Sequence, residues 1–144
     1  MNNSSYKLLA KDLAGRIPYG VKCQMNIGDG DYFVDTLYYV TLDDCVYLLG
    51  DKDETEYVLG QCDIKPYLFP LSSMTEEQEN EWNDLHLNPL GEILEGKFNG
   101  KEEHMQLLSK SMSDPIQWCY KNHFDCNGLI PLGLAINCTN LNIY

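Results

Sequence analysis

The 144-residue sequence predicts an α+β fold: a small curved antiparallel β-meander or SH3-like open barrel of four to five strands, then a helical layer of three to four helices. Up to about Pro70 the chain is aromatic and β-branched and is cut into short segments by Gly and Asp turns. Acidic helical patterns follow from Ser72 onward. The length suits a single domain over residues 1–144, with a mainly β part (1–71) and a helical part (72–144).

The first predicted elements are a short helix and a strand. Ser4 or Ser5 can cap a helix over residues 7–14, and Gly15 stands where a C-terminal helix glycine belongs. Residues 19–27 then alternate between apolar and small or polar side chains. This period of two indicates a half-buried antiparallel strand with five apolar side chains on one face.

Four further strand-like segments follow the first strand. They cover residues 32–40, 45–49, 55–59 and 62–65. Turn-forming residues separate them, at 28–31, 42–44, 50–54 and 60–61. No segment of helix length lies between the strands, so we expect sequential antiparallel hairpins rather than a parallel sheet.

The helical part begins with a capping box, Thr75-Glu76-Glu77-Gln78. We expect this helix to end near Leu87, because Asn88-Pro89 opposes its continuation, and residues 90–100 to form a loop. A second helix is predicted over 101–111, and a third starting at Asp114-Pro115. The apolar tail at 129–138 is expected to be buried.

Composition and charge exclude several function classes. The chain has 22 acidic and 10 basic residues, a net charge of −12, which argues against direct binding to a nucleic-acid backbone. No apolar run approaches 18 residues, and the first residues lack the pattern of a secretion signal, so we expect a cytoplasmic protein without a membrane partner. In that compartment the six cysteines are expected to be reduced structural thiols.

The sharpest chemical motif is Cys119-x3-His123-x2-Cys126, with Cys138 further along. Thiolate and imidazole ligands suit zinc, and a cysteine beside a histidine can act as a nucleophile. A buried thiol next to a hydrogen-bonded histidine explains the same spacing. We therefore predict no metal, no cofactor and no catalytic residue, and the Asp-rich turns are interpreted as turns rather than calcium loops.

Two sets of residues are candidates for binding a partner. The first is aromatic or imidazole-bearing, and tyrosine and tryptophan are common interface anchors. It consists of Tyr67, Phe69, Trp118 and His123. The second is an acidic face crowded onto the first long helix. It consists of Glu76, Glu77, Glu79, Glu81 and Asp84.

Three stretches, at residues 13–22, 64–77 and 122–130, resemble a family of small acidic proteins encoded in prophages and other mobile elements of gut anaerobes. The resemblance implies a barrel-like first half and helices ending in a His-Phe-Asp…Gly-Leu-Ile segment. It implies no catalytic residue, cofactor or substrate. It does imply a phage or mobile-element accessory protein, a context in which adaptor and counter-defence roles are common.

These observations favour a non-enzymatic protein-interaction module that binds a host or phage protein; a homo-oligomer is also compatible with them. The alternative is a counter-defence protein. In one version its carboxylates imitate the phosphates of nucleic acid and occupy the basic groove of a host nuclease. In the other version it binds a small nucleotide signal, for which Arg16 is the only arginine available to hold a phosphate.

Overall fold

The computed structural model describes residues 3–41, 45–49, 54–58 and 63–144. The helices are α1 (Asn3–Arg16), α2 (Glu76–Leu94) and α3 (Gly100–Lys121), and single 3-10 turns cover Ile17–Tyr19 and Leu71–Ser73. The strands are β1 (Lys22–Gly28), β2 (Asp31–Val40), β3 (Cys45–Leu49), β4 (Glu54–Val58), β5 (Asp63–Leu68) and β6 (Ile136–Asn137). The turns predicted at 42–44 and 60–61, most of the one at 50–54, and Cys62 lie outside the described residues.

The α+β class is confirmed, with the strands in one open sheet of order β4-β3-β2-β1-β5-β6. Neighbours from β4 to β5 are antiparallel, and the short β6 runs parallel to β5. The predicted sequential antiparallel pairing is found from β1 to β4. The prediction is wrong for β5, which pairs with β1 at Cys23↔Pro66 and Met25↔Ile64. The sheet is not closed into a barrel, and the SH3-like shape is not confirmed.

The reason for the position of β5 lies in the core. Four of its six residues, Ile64, Pro66, Tyr67 and Leu68, are buried, and Ile64 and Leu68 belong to the same core cluster as α1 and β1. The core joins α1, β1, β2, β5 and the C-terminal tail, and includes Leu9, Leu13, Val21, Cys23, Met25, Leu37, Leu129, Leu134 and Ala135. The predicted burial of the tail is thus confirmed at Leu129, Leu134, Ala135 and Cys138.

Two predicted helices have different bounds. The helix predicted to end near Leu87 runs through Pro89 to Leu94, so part of the predicted loop is helical. The helices predicted on either side of Asp114 are one helix, α3, with Pro115 inside it. Both prolines are buried, so the packing they gain offsets the backbone hydrogen bond that each removes.

The helical part does not form the expected layer on the sheet. It is α1 that covers the sheet, and α2 and α3 pack mainly against each other as an antiparallel hairpin. None of the buried residues in the main core cluster comes from α2 or α3. No helix in the described part of the chain is long and apolar enough to cross a membrane.

Candidate functional site

A groove of about 340 Å³ runs between α2 and α3. Two contacts across the hairpin fix its walls: the Trp118 indole N–H donates to Glu81 at 3.1 Å, and the His86 Nδ1–H donates to the Ser111 carbonyl at 2.8 Å. We name this cavity the α2–α3 groove. It is lined by Glu81, Asp84, Leu85, Asn88, Pro89, Glu92, Leu107, Lys110 and Asp114.

Helical spacing explains why these side chains meet. On α2 the lining residues recur at intervals of three and four from Glu81 to Glu92, and on α3 they are Leu107, Lys110 and Asp114. The groove therefore has an apolar floor of leucine and proline. Its walls carry four carboxylates and a single ammonium group.

The carboxylates of the groove are Glu81, Asp84, Glu92 and Asp114, and no described residue forms an ion pair with any of them. Glu81 accepts only the neutral Trp118 indole hydrogen bond among the described contacts. Like charges near one another repel, and the apolar floor beneath them lowers the local dielectric. The groove is therefore complementary to a cation with an apolar stem.

The opposite side of the hairpin is apolar. Leu87 and Leu94 are seven residues apart on α2 and are 56% and 87% exposed. On α3, Met112 is 71% exposed, and it lies about 200° around the helix from Lys110 at 100° per residue. Met105 and Ile116 share the face of Met112. The hairpin thus presents an acidic groove on one side and exposed apolar side chains on the other.

The four candidate aromatic and imidazole residues lie near one another but serve mainly as packing. Tyr67 is buried and donates its hydroxyl to Gln24 Oε1 at 2.7 Å. Phe69 and Trp118 both pack against Phe124, with ring centroids 6.1 Å and 5.6 Å from it. His123 stacks on Tyr144 at 3.7 Å. Phe69 lines a cavity of about 230 Å³ together with Phe124.

The predicted acidic face divides in the structure. Glu76, Glu77 and Glu79 are exposed in the first turns of α2, after the Thr75 cap that accepts the Gln78 N–H. Glu81 and Asp84 instead line the α2–α3 groove. The site therefore contains three of the residues singled out from the sequence: Glu81 and Asp84 in its wall, and Trp118 bound to Glu81.

The candidate zinc cluster does not assemble. No three His, Cys, Asp or Glu side chains of the described residues, which include this whole motif, are placed to hold a metal ion. His123 ends α3 with φ +61° and its ring lies on Tyr144, while Cys138 sits beside Leu68 in the tail. Burial, helped by the Arg16 charge, lowers the pKa of His123 to about 4. Cys119 and Cys126 do line one small cavity together.

Arg16 is not available for a phosphate. It is fully buried, and its guanidinium makes a bidentate ion pair with Asp12, at 2.6 Å and 3.0 Å. Its Nη2 also donates to the Phe124 carbonyl at 2.9 Å. The single arginine of the chain therefore joins α1 to the segment after α3.

The sequence did not predict the α3 wall of the groove, because Asp114 was interpreted as the start of a new helix. This wall consists of Leu107, Lys110 and Asp114. Their spacing reveals a common face only when α3 is taken as one helix. None of the aromatic and imidazole residues expected to bind a partner, Tyr67, Phe69, Trp118 and His123, lines this groove. Comparisons of the chain with protein-family models, with curated proteins and with solved structures find no match.

Proposed function

We propose that this protein is a non-enzymatic interaction module whose α2–α3 groove binds a lysine- or arginine-bearing segment of a partner protein. The observation that carries the proposal is the groove itself, with four carboxylates that lack an ion pair among the described residues above an apolar floor. The resemblance of three stretches to mobile-element proteins suggests a host or phage protein as the partner, and the cytoplasm as the place of the encounter.

Lysine and arginine match the groove in both parts. Their aliphatic stems can pack on Leu85, Pro89 and Leu107, while the charged head reaches the carboxylates at the walls. Arginine has the further advantage that its planar fork can bind a carboxylate through two parallel hydrogen bonds. Partner binding would also relieve the repulsion among the groove carboxylates.

The test is a titration of the ¹⁵N-labelled protein with a short peptide containing arginine, lysine and leucine. The expected result is that amide shifts concentrate at the groove residues of α2 and α3. A peptide with glutamine in place of each basic residue should bind at least tenfold more weakly. Shifts spread evenly over the acidic surface would contradict the proposal.

Matched variants separate the groove from general acidity. D84N/E92Q/D114N removes three charges in the groove, and E76Q/E77Q/E79Q removes three outside it. We expect the first to weaken peptide binding by about tenfold, or 1.4 kcal/mol, and the second to have a much smaller effect. Equal weakening by both would indicate that only net charge attracts the peptide.

A second candidate function is a counter-defence protein that imitates nucleic acid. Its support is the exposure of Glu76, Glu77, Glu79, Glu81 and Asp84 along α2 without ion pairs among the described residues. This function reverses the ranking of the two variants, because E76Q/E77Q/E79Q should relieve inhibition of a nuclease the most. Inhibition should also fall steeply between low and physiological salt. The nucleotide-binding version gains no support, since Arg16 is buried.

A further inference from the structure

A pair of thiols, Cys119 and Cys126, lies at the C-terminal end of α3. Cys119 is in the last turn of α3, and the chain then folds back so that the Phe124 N–H donates to the Cys119 carbonyl at 2.8 Å. This reversal places Cys126 on the same small cavity as Cys119, where the two thiols influence each other's pKa. The cavity has a volume of about 180 Å³.

The cavity is mostly apolar, and its other walls are Leu71, Trp82, Pro115 and Ile116. The buried indole N–H of Trp82 has no hydrogen-bond partner among the described residues, and Trp82 lines the cavity together with Cys119. Cys119 itself is buried, whereas Cys126 is half-buried. A reagent entering the cavity therefore meets two neighbouring sulfurs.

We propose that Cys119 and Cys126 form a dithiol site that reacts with small-molecule disulfides to close a Cys119–Cys126 disulfide. Both thiols line the same small cavity, so movement of the loop around Cys126 can bring the two sulfurs to bonding distance. The cavity shares no lining residue with the α2–α3 groove, and this inference does not depend on the proposed function.

The reaction is a thiol–disulfide exchange in two steps. The thiolate of Cys119 attacks one sulfur of glutathione disulfide, whose S–S bond breaks, and one glutathione thiolate leaves. The sulfur of Cys126 loses its proton to solvent and attacks the Cys119 sulfur of the mixed disulfide, releasing the second glutathione thiolate. Two protein thiols are oxidised and one glutathione disulfide is reduced.

Electrostatics distinguish this pair from other described thiols. The neighbouring Cys126 thiol, together with the Trp82 indole, holds the pKa of Cys119 below its ordinary value despite the opposing effect of burial. The same interaction and burial raise the pKa of Cys126, which suits a resolving thiol rather than an attacking one. Burial raises the pKa of Cys23 to about 12 and that of Cys138 to about 11, so both should be unreactive.

The test is incubation of the reduced full-length protein with excess glutathione disulfide, followed by peptide mapping by mass spectrometry. In the wild type we expect a Cys119–Cys126 disulfide as the first product. Cys126→Ser should stop at a glutathione adduct on Cys119, and Cys138→Ser should behave as the wild type. Reaction at other cysteines while Cys119 and Cys126 stay reduced would overturn the proposal, as would a Cys126→Ser protein without the adduct.

A second measurement keeps the proposal testable if a variant folds poorly. Phenylarsine oxide binds two adjacent thiols, forming two As–S bonds and releasing water. We expect the folded wild type to bind one equivalent through peptides that contain Cys119 and Cys126. Absence of arsenic from these peptides in the folded wild type would equally overturn the proposal.

Discussion

His123 occupies a backbone conformation that glycine usually takes. It is the first residue beyond the end of α3 with a positive φ, +61°, and its N–H donates to the Tyr120 carbonyl while the Phe124 N–H donates to Cys119. This pair of hydrogen bonds is a Schellman motif, in which a non-glycine residue is strained by about 1 kcal/mol or more. The stacking on Tyr144 and the Phe69 N–H donated to the His123 carbonyl hold the residue there.

The pKa of His123 makes the fold sensitive to pH. Burial lowers the pKa of His123 from 6.5 to about 4. Between pH 6.5 and pH 4 the imidazole is therefore protonated in the unfolded chain and neutral in the folded chain. Stability should therefore fall as the pH decreases from 6.5 toward 4. We expect His123→Asn, which tolerates positive φ and does not titrate, to lose less stability between pH 7 and pH 5 in urea unfolding. An equal loss in both proteins would contradict the assignment, as would an NMR titration placing the His123 pKa near 6.5.

The Asp12–Arg16 pair is the most deeply buried polar contact of the described chain. Both side chains are fully buried, the ring of Tyr120 lies 4.6 Å from the guanidinium, and Asn127 donates to Asp12 at 2.7 Å. Arg16→Met leaves a buried carboxylate without its partner charge, which should lower the free energy of unfolding by about 3–5 kcal/mol.

Two controls accompany the Arg16→Met measurement by urea unfolding. Lys11→Met, at an exposed position of the same helix, should change stability by about 0.5 kcal/mol or less. The double variant D12L/R16M should recover part of the loss, because no charge remains buried. A double variant no more stable than the single one would mean that packing, not charge, dominates at this position.

The structure of α3 depends on a hydrogen bond from α2. Pro115 has no N–H, so the Ser111 carbonyl four residues earlier lacks its donor within the helix. His86 supplies it, and because a carbonyl only accepts, Nδ1 is the ring nitrogen that carries the proton. The half-buried His86, which sequence alone left without a role, thus makes a proline compatible with the middle of a helix.

This dependence is testable as a double-mutant cycle measured by denaturant unfolding. His86→Ala leaves the buried Ser111 carbonyl without a donor, at a cost of about 1–3 kcal/mol. Pro115→Ala restores an N–H to the helix, so in that background His86→Ala should be less harmful by about 1 kcal/mol. Additive losses would show that His86 acts through packing with Trp82 alone.

Alanine substitutions at two glycines inside helices should have opposite effects on stability. A Cβ on Gly15 in α1 would overlap the ring of Tyr120 in α3, whereas one on Gly91 in α2 would meet no atom within 4 Å. Gly15→Ala should destabilise the fold by about 1–3 kcal/mol, and Gly91→Ala should stabilise it by about 0.5–1 kcal/mol. Thermal unfolding of both variants measures the two signs. Stabilisation by Gly15→Ala would mean that α1 and α3 are not in close contact.

The individual strands and helices show what the sequence could and could not predict. Local patterns worked in part: the alternation at 19–27 correctly places Val21, Cys23 and Met25 in the core, and the Thr75 capping box begins α2. The same alternation was wrong at its ends, because Tyr19 belongs to a 3-10 turn and Ile27 is 63% exposed.

Helix ends were misplaced at Gly15, Pro89 and Pro115. Glycine and proline usually interrupt a helix, and here packing distant in sequence explains their presence. Gly15 lies against Tyr120, Pro89 is buried, and His86 donates to the carbonyl that Pro115 leaves without a donor.

At the scale of the whole molecule, the sequence predicted the α+β class but not the arrangement of its parts. Which edge of the sheet receives β5, and whether α2 and α3 cover the sheet, depend on long-range packing that no local pattern contains. For the same reason, the candidate groove was not predicted. Glu81 and Asp84 were visible on one helix, and the α3 wall required the pairing of two helices.

The net charge of −12 should make the whole fold sensitive to salt. Repulsion among surface carboxylates destabilises the compact state, and at physiological ionic strength it is screened beyond about 8 Å. We expect the melting temperature at pH 7 to rise as NaCl increases from low to physiological concentration. The D84N/E92Q/D114N variant carries three fewer negative charges than the wild type. Its melting temperature at low salt should be higher than that of the wild type, and it should rise less with salt. A wild-type melting temperature that is constant or falls with salt would show that attractive ion pairs, not repulsion, dominate the surface.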